Sequence, residues 1–293
     1  MMLNGKIILT GKGLHSGKDC ILTIEPCDSQ EVLLRSGNNE LPLRELSLSG
    51  TNRGSDYIYP DGTRVRTCEH VFSALAGLGI WSGVRLTVEG GEMPALDGCS
   101  RTVCDELLKH SAHDDVKHEA VNLAEAVSVH SDELLKHSAH DSVKYEAVNL
   151  AEAVSVYGED RSRFVAALPY QGLQITYIVE YEYIGAQILD FVSSPEGYIE
   201  EIASARTFAM QRDIDYLRAH GMALGGSLEN AIVVGESVQA KGGLHWPDEF
   251  VRHKVLDIIG DLAAVGRPVN AHIIAVKAGH ELHLKLADKL RGA

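Results

Sequence analysis

His253, Asp257 and Asp261 recur every fourth residue in DEFVRHKVLDIIGDLAAVG (248–266), a segment whose Val255, Ile259 and Leu262 form an apolar stripe on the other side. At 100° per residue the three polar groups fall within about 80° of one another. A histidine and a carboxylate four residues apart on a helix can hand two ligands to one first-row metal ion. Charged groups on a helix buried on both faces must pair or coordinate, or their desolvation costs several kcal/mol. An exposed polar face is the ordinary alternative. Gly260 argues against it, because glycine inside a helix costs about 1 kcal/mol and marks a face that something approaches closely.

A catalytic zinc site takes three protein ligands and keeps one position open. TCEH at 67–70 offers the third: His70 in the first turn of a helix expected over Cys68–Leu78, with Thr67 as its N-cap. Glu69 then stands beside a ligand at the positive end of the helix dipole. A carboxylate so placed suits a hydrolase in which it takes the proton from the attacking water. KAGH at 277–280 adds His280, by itself a turn residue, but in this company a general acid for the leaving group, oriented by Asp261.

Two other patterns read as structure. GKGLHSG (11–17) is followed by the strand-like KDCILTIEP, so its glycines form a hairpin turn with His15 near the tip, not a phosphate loop opening a helix. His110/His113 and His137/His140 have a metal-compatible spacing, yet the flanking Lys, Asp and Glu make this face look solvated, and they read as exposed side chains.

The elements that must position these residues come in two similar batches. Short alternating runs (KIILT, CILTIEP, EVLLRS) predict antiparallel sheet over 1–60, followed by the 68–78 helix, a strand at SGVRLTVEGG and a helix at RTVCDELLKHS. Strands return over 160–192, helices over 198–204 and 208–220, an apolar run at NAIVVGESV, the 249–266 helix, and finally strand, turn and helix in AHIIAVKAGHELHLKLADKL. This ordering predicts an α+β protein of two similar domains, each with helices on a mostly antiparallel sheet. Between them, residues 105–131 are repeated almost unchanged as 132–158. Two copies are too few for a solenoid. One helix–strand unit suffices, so the expected division is a domain at 1–117, a surplus insertion at 118–144 and a domain at 145–293.

The chain has 293 residues, 45% hydrophobic and 23% charged, enough for two cores. Its net charge of −14 argues against a nucleic-acid partner. MMLNGKIILTGKG does not read as an export signal, no stretch has the length of a membrane span, and the five cysteines form no CxxC pair, so a reducing cytoplasm is expected.

GKGLHSG, RTCEHVFSAL, EMPALDG, ASARTF, GGSLENAIVV, DEFVRHKVLDIIGDL and KAGHELHLKL, in this order, resemble the UDP-3-O-acyl-N-acetylglucosamine deacetylases, zinc amidases of the committed step of lipid A synthesis in Gram-negative bacteria. The resemblance covers the chain apart from the extra repeat. It implies a zinc site of His70, His253 and Asp257, with Fe2+ as a possible substitute, Glu69 as general base, and His280, held by Asp261, as general acid. It further implies Thr207 and Lys254 at the oxyanion, Lys254, Phe208 and Leu14 against an acylated UDP-amino-sugar, and a site in the cleft between the two domains, with YEYIGAQILDFV lining an acyl passage. A zinc hydrolase of another amide or ester, or a silent metal-binding protein, are the alternatives. Two stretches depart from the family pattern: His245 and Trp246 stand where an arginine is usual, and Arg53 where some relatives have histidine.

Overall fold

The computed structural model describes residues 3–51, 53–111 and 146–292. The first batch contains β1 (Ile7–Lys12), β2 (Asp19–Pro26), β3 (Val32–Ser36), β4 (Asn39–Pro42), β5 (Ser47–Thr51), β6 (Gly54–Ile58), β7 (Arg64–Val65), α1 (Glu69–Gly77), β8 (Val84–Glu89) and α2 (Arg101–Lys109). The second begins with β9 (Val148–Asn149), β10 (Val154–Tyr157), β11 (Phe164–Pro169), β12 (Leu173–Tyr181), β13 (Gly185–Val192) and α3 (Pro195–Glu201). It continues through β14 (Phe208–Met210), α4 (Gln211–Ala219), β15 (Ile232–Val234), β16 (Val238–Gln239), α5 (Glu249–Leu262), β17 (Val269–Val276) and α6 (His280–Arg291).

One sheet plan is used twice. The strand order β1-β2-β8-β3-β4 in the first batch is matched by β10-β11-β17-β12-β13 in the second. In each the last strand inserts between two hairpins, antiparallel to one (β2–β8, β11–β17) and parallel to the other (β3–β8, β12–β17). Period-two burial follows from this placement: Val84, Leu86 and Val88 face inward on β8, as do Val269, Ala271, Ile273 and Ala275 on β17. The α+β architecture expected from the sequence is therefore present.

Helices join the two halves. α1 packs on α2 and on α5, α5 packs on α6, and the second sheet meets α5 through β12 and β13 and α6 through β10 and β11. A single hydrophobic cluster runs through both sheets and these helices. Ser73 of α1 donates to the Leu256 carbonyl of α5 at 2.8 Å, and Tyr198 of α3 donates to Ser73 Oγ at 2.7 Å. These contacts fix α1 against α5, which carry the residues singled out above.

Several expectations need correction. Thr67 does not cap α1: its φ is 54°, its hydroxyl donates to Glu92 Oε1 at 3.0 Å, and Cys68 occupies the cap position. The helix expected over 208–220 starts later, because Phe208–Met210 pair in parallel with Ile232–Val234 and become β14. α3 begins at Pro195, earlier than 198, with Ser194 Oγ accepting from the Gly197 amide at 3.0 Å. The tip of the first hairpin holds His15, as expected. His110 follows the end of α2, while His113, His137, His140 and the 118–144 segment lie outside the described residues. Among the described residues no helix is long and apolar enough to cross a membrane.

Candidate metal centre and active site

α5 is buried almost all round, and that resolves its mixed character. Val255, Ile258, Ile259 and Leu262 enter the core, while His253, Asp257 and Asp261, each 2% exposed or less, turn toward α1 and α6. Gly260 is the point of closest approach: a Cβ there would stand 1.9 Å from the Glu69 carbonyl oxygen. The contact brings the N-terminal turn of α1, with Glu69 and His70, alongside the carboxylates of α5.

His70, His253 and Asp257 converge. His253 Nε2 lies 3.3 Å and His70 Nε2 3.8 Å from Asp257 Oδ1. Ligands held about 2.0–2.1 Å from a tetrahedral zinc lie roughly 3.3 Å from one another, so this spacing suits the ion with little adjustment. His253 Nδ1 donates to the Ala205 carbonyl at 3.0 Å, which leaves Nε2 as the bare nitrogen of a neutral ring. Burial, and then the neighbouring imidazole of His253, depress His70 to about 3, and burial also lowers His253. Burial opposes ionisation of Asp257, yet His253 and Lys254 hold its carboxyl well below the usual range. Asp257 Oδ2 accepts from Lys254 Nζ at 2.6 Å, whereas Oδ1 is buried and accepts no hydrogen bond. A buried, orphaned carboxylate oxygen facing the imidazoles of two rings that burial keeps neutral is what a divalent cation completes.

A second grouping, Asp261, His280 and His283, has donor atoms as close together. Its chemistry is different, because those atoms already satisfy one another. Asp261 Oδ2 accepts from His280 Nδ1 at 2.9 Å and His283 Nδ1 at 2.8 Å, and Oδ1 accepts from Ser55 Oγ. A metal there would have to displace protons that are already well placed.

The proton-handling groups meet beside the first cluster. Glu69, 3% exposed, accepts from the Ser55 amide at 3.0 Å, and Gly54 leaves room for its carboxylate. Burial moves its pKa up to about 7, further assisted by Asp261 and Asp257 and opposed by His280. His280 opens α6, with Nε2 4.0 Å from Glu69 Oε1 and 3.7 Å from Asp257 Oδ2. Burial works against its charge, but Asp261, Asp257 and Glu69 raise it to about 9. A carboxyl group and an imidazole, their pKa values both raised, thus face the same space.

That space is a cavity of about 630 Å³ whose wall includes Glu69, His70, His253, Asp257 and His280 together with Leu14, Thr207, Phe208 and Lys254. Lys254 lies over the Phe208 ring, 5.5 Å from its centroid. Its ammonium stays above its ordinary pKa although burial opposes the charge, because Asp257 outweighs it. Thr207 is fixed by backbone bonds to Gly98 and Ile232. Its neighbour Arg206 is buried and fork-bonded to Glu249 at the start of α5, at 2.8 and 3.1 Å, and also donates to the carbonyls of Lys241 and Gly243. Breaking such a buried pair typically costs about 3–5 kcal/mol. It ties the segment bearing Thr207 to the helix bearing His253 and Asp257. Of the 181–192 stretch expected to line an acyl passage, Tyr181 and Glu182 reach the cavity, and its apolar wall is built mainly by Met210, Ile214, Leu217, Leu228 and Val233.

The two departures stay off the metal cluster. His245 donates its amide to Glu249 at 2.7 Å, Arg252 lies over Trp246, and Arg53 pairs with Asp213 at 3.0 Å on the cavity wall. Ser55, His283 and Glu92 were not anticipated. Glu92, 1% exposed, accepts from the amides of His15 and Ser16 and from Thr67, and so fixes the loop carrying Leu14. Its place in EMPALDG carried no chemical signal, whereas His283 stands at i+3 from His280 and could have been found from that spacing.

A family model described as UDP-3-O-acyl N-acetylglycosamine deacetylase matches residues 1–292. Relatives bearing the name UDP-3-O-acyl-N-acetylglucosamine deacetylase extend over nearly the whole chain. That of Thermodesulfovibrio yellowstonii is 33% identical over 98% of this chain and 90% of its own. That of Thermosynechococcus vestitus is 35% identical over 97% and 91%, and that of Marinobacter nauticus 32% over 99% and 88%.

Proposed function

The chain belongs to the UDP-3-O-acyl N-acetylglycosamine deacetylase family, zinc amidohydrolases of lipid A biosynthesis, and from that premise we propose how its residues divide the reaction. His70, His253 and Asp257 hold the zinc, and the same donor set accepts Fe2+. When bound, the metal supplies a Lewis acid for the amide carbonyl and for water. Glu69, poised by burial near neutrality, takes the proton from the attacking water. Lys254 and Thr207, on the cavity wall, stabilise the negative charge that grows on the carbonyl oxygen. His280, kept protonated by Asp261, delivers a proton to the departing nitrogen, the C–N bond breaks, and acetate and a free amine leave. Leu14 and Phe208 contact the sugar substrate, and the apolar wall from Met210 to Val233 receives its 3-O-acyl chain.

The observation that carries this reading is the convergence of Glu69 Oε1 and His280 Nε2, 4.0 Å apart, on the cavity lined by the three metal donors. Five free cysteines, four of them buried, suit a reducing cytoplasm. Asp257→Ala tests the ligand set: zinc content and acetate release from UDP-3-O-acyl-N-acetylglucosamine should be lost together. A zinc-free Ala variant with wild-type turnover would overturn it.

A further inference from the structure

His283 is wholly buried in α6 and does not line the cavity, yet it shares a carboxylate with His280. Its Nδ1 lies 2.8 Å from Asp261 Oδ2, the oxygen that His280 Nδ1 meets at 2.9 Å. Although burial opposes its ionisation, Asp261 is held below the usual carboxylate range by the His280 charge and by hydrogen bonds from both imidazoles. An ionised carboxylate only accepts, so both Nδ1 atoms carry protons. The other Asp261 oxygen accepts from Ser55. On its far side the Tyr177 hydroxyl lies 2.9 Å from both His283 Nε2 and the Ala278 carbonyl, two residues before His280; burial keeps His283 neutral, so Nε2 accepts and the single hydroxyl proton is shared between these two acceptors. The circuit runs from His280 through Asp261, His283 and Tyr177 back to the turn from which His280 projects.

The χ2 torsion of an aspartate is soft, so one imidazole partner leaves the carboxylate free to swing with it. Donors on both oxygens and a second donor on Oδ2 remove that freedom. We propose that His283 is a positioning residue for deacetylation: its Nδ1–H locks Asp261 in the orientation that presents His280 Nε2 to the cavity. The inference rests on the assignment of His280 as the acid.

Side-chain geometry supplies the test, because the amide nitrogen of asparagine falls where the histidine Nδ1 was, and that of glutamine where Nε2 was. His283→Asn keeps the donor to Asp261 and His283→Gln loses it, at similar size and polarity. With the zinc-loaded full chain and UDP-3-O-acyl-N-acetylglucosamine, the Gln variant should lose roughly 10-fold or more in kcat, as loss of such supporting hydrogen bonds does elsewhere. KM and zinc content should stay unchanged, and the Asn variant should regain most of the loss. Equal kcat in the two variants, whether high or low, would overturn the proposal, as would loss of zinc or unfolding in both. His280→Ala separates the two levels: wild-type turnover there defeats the acid assignment, whereas a slow His280→Ala with equal Asn and Gln variants defeats only the role of His283.

Discussion

The backbone of α5 at Gly260 and the carbonyl of Glu69 in α1 meet with no room for a methyl group between them, since a Cβ would lie 1.9 Å from that oxygen. The separation of His70 from His253 and Asp257 is therefore set by a backbone contact. Gly260→Ala must push the helices apart, at a typical overpacking cost of about 1–3 kcal/mol. The gain in helix propensity, about 1 kcal/mol, offsets part of this. The Ala variant should unfold at a lower temperature and, at an assay temperature where it is folded, deacetylate more slowly. Wild-type stability together with wild-type turnover would show that the contact does not set the site.

Glu69 and His280 together predict the pH profile. Activity should rise with pH as Glu69 loses its proton, near 7 in the metal-free protein, and fall as His280 loses its own, near 9. A bound dication favours the carboxylate and disfavours the imidazolium, so both limbs of kcat/KM should lie below those values in the zinc enzyme. The limbs belong to the coupled pair. Glu69→Gln should keep zinc, since Glu69 is not among the proposed ligands and glutamine can still accept from the Ser55 amide, but should lower kcat by about 10²-fold or more. A zinc-loaded Gln variant with an unchanged profile would remove Glu69 from the base role.

Much of this site was legible because its chemistry is periodic. His253, Asp257 and Asp261 repeat at the helical spacing, and Gly260 signals the close approach that Glu69 makes. Glu69 and His70 gained meaning only beside that ladder. Ser55 escaped notice because it reaches Asp261 across a sequence separation of 206 residues, from a strand where a serine is unremarkable. Thr67 looks like a cap, but the buried Glu92 competes for its hydroxyl and wins. Phe208–Met210 reads as the start of a helix until a remote partner strand, Ile232–Val234, makes it a strand. Each miss is a tertiary contact overriding a local preference.

The duplicated segment yields a separate prediction. The described chain leaves α2 at Lys109, in the first copy, and resumes with β9 at Val148, in the second. We assign 118–144 as an insertion between the domains at 1–117 and 145–293. Closure entropy changes by only about 0.6 kcal/mol per doubling of loop length, so removing one period should be tolerated. The shortened chain should fold, bind zinc and deacetylate within a few-fold of the full chain. An insoluble or zinc-free deletion variant would place the segment in the core and move the boundary.

We propose that deacetylation by this chain depends on a metal ion held by His70, His253 and Asp257. The most direct measurement is acetate release from UDP-3-O-acyl-N-acetylglucosamine by the purified protein, before chelation, after exhaustive chelation, and after titration with Zn2+. Chelation should abolish turnover, and about one zinc per chain should restore it, as three protein ligands and one open position require. Full turnover by the metal-free protein would contradict it.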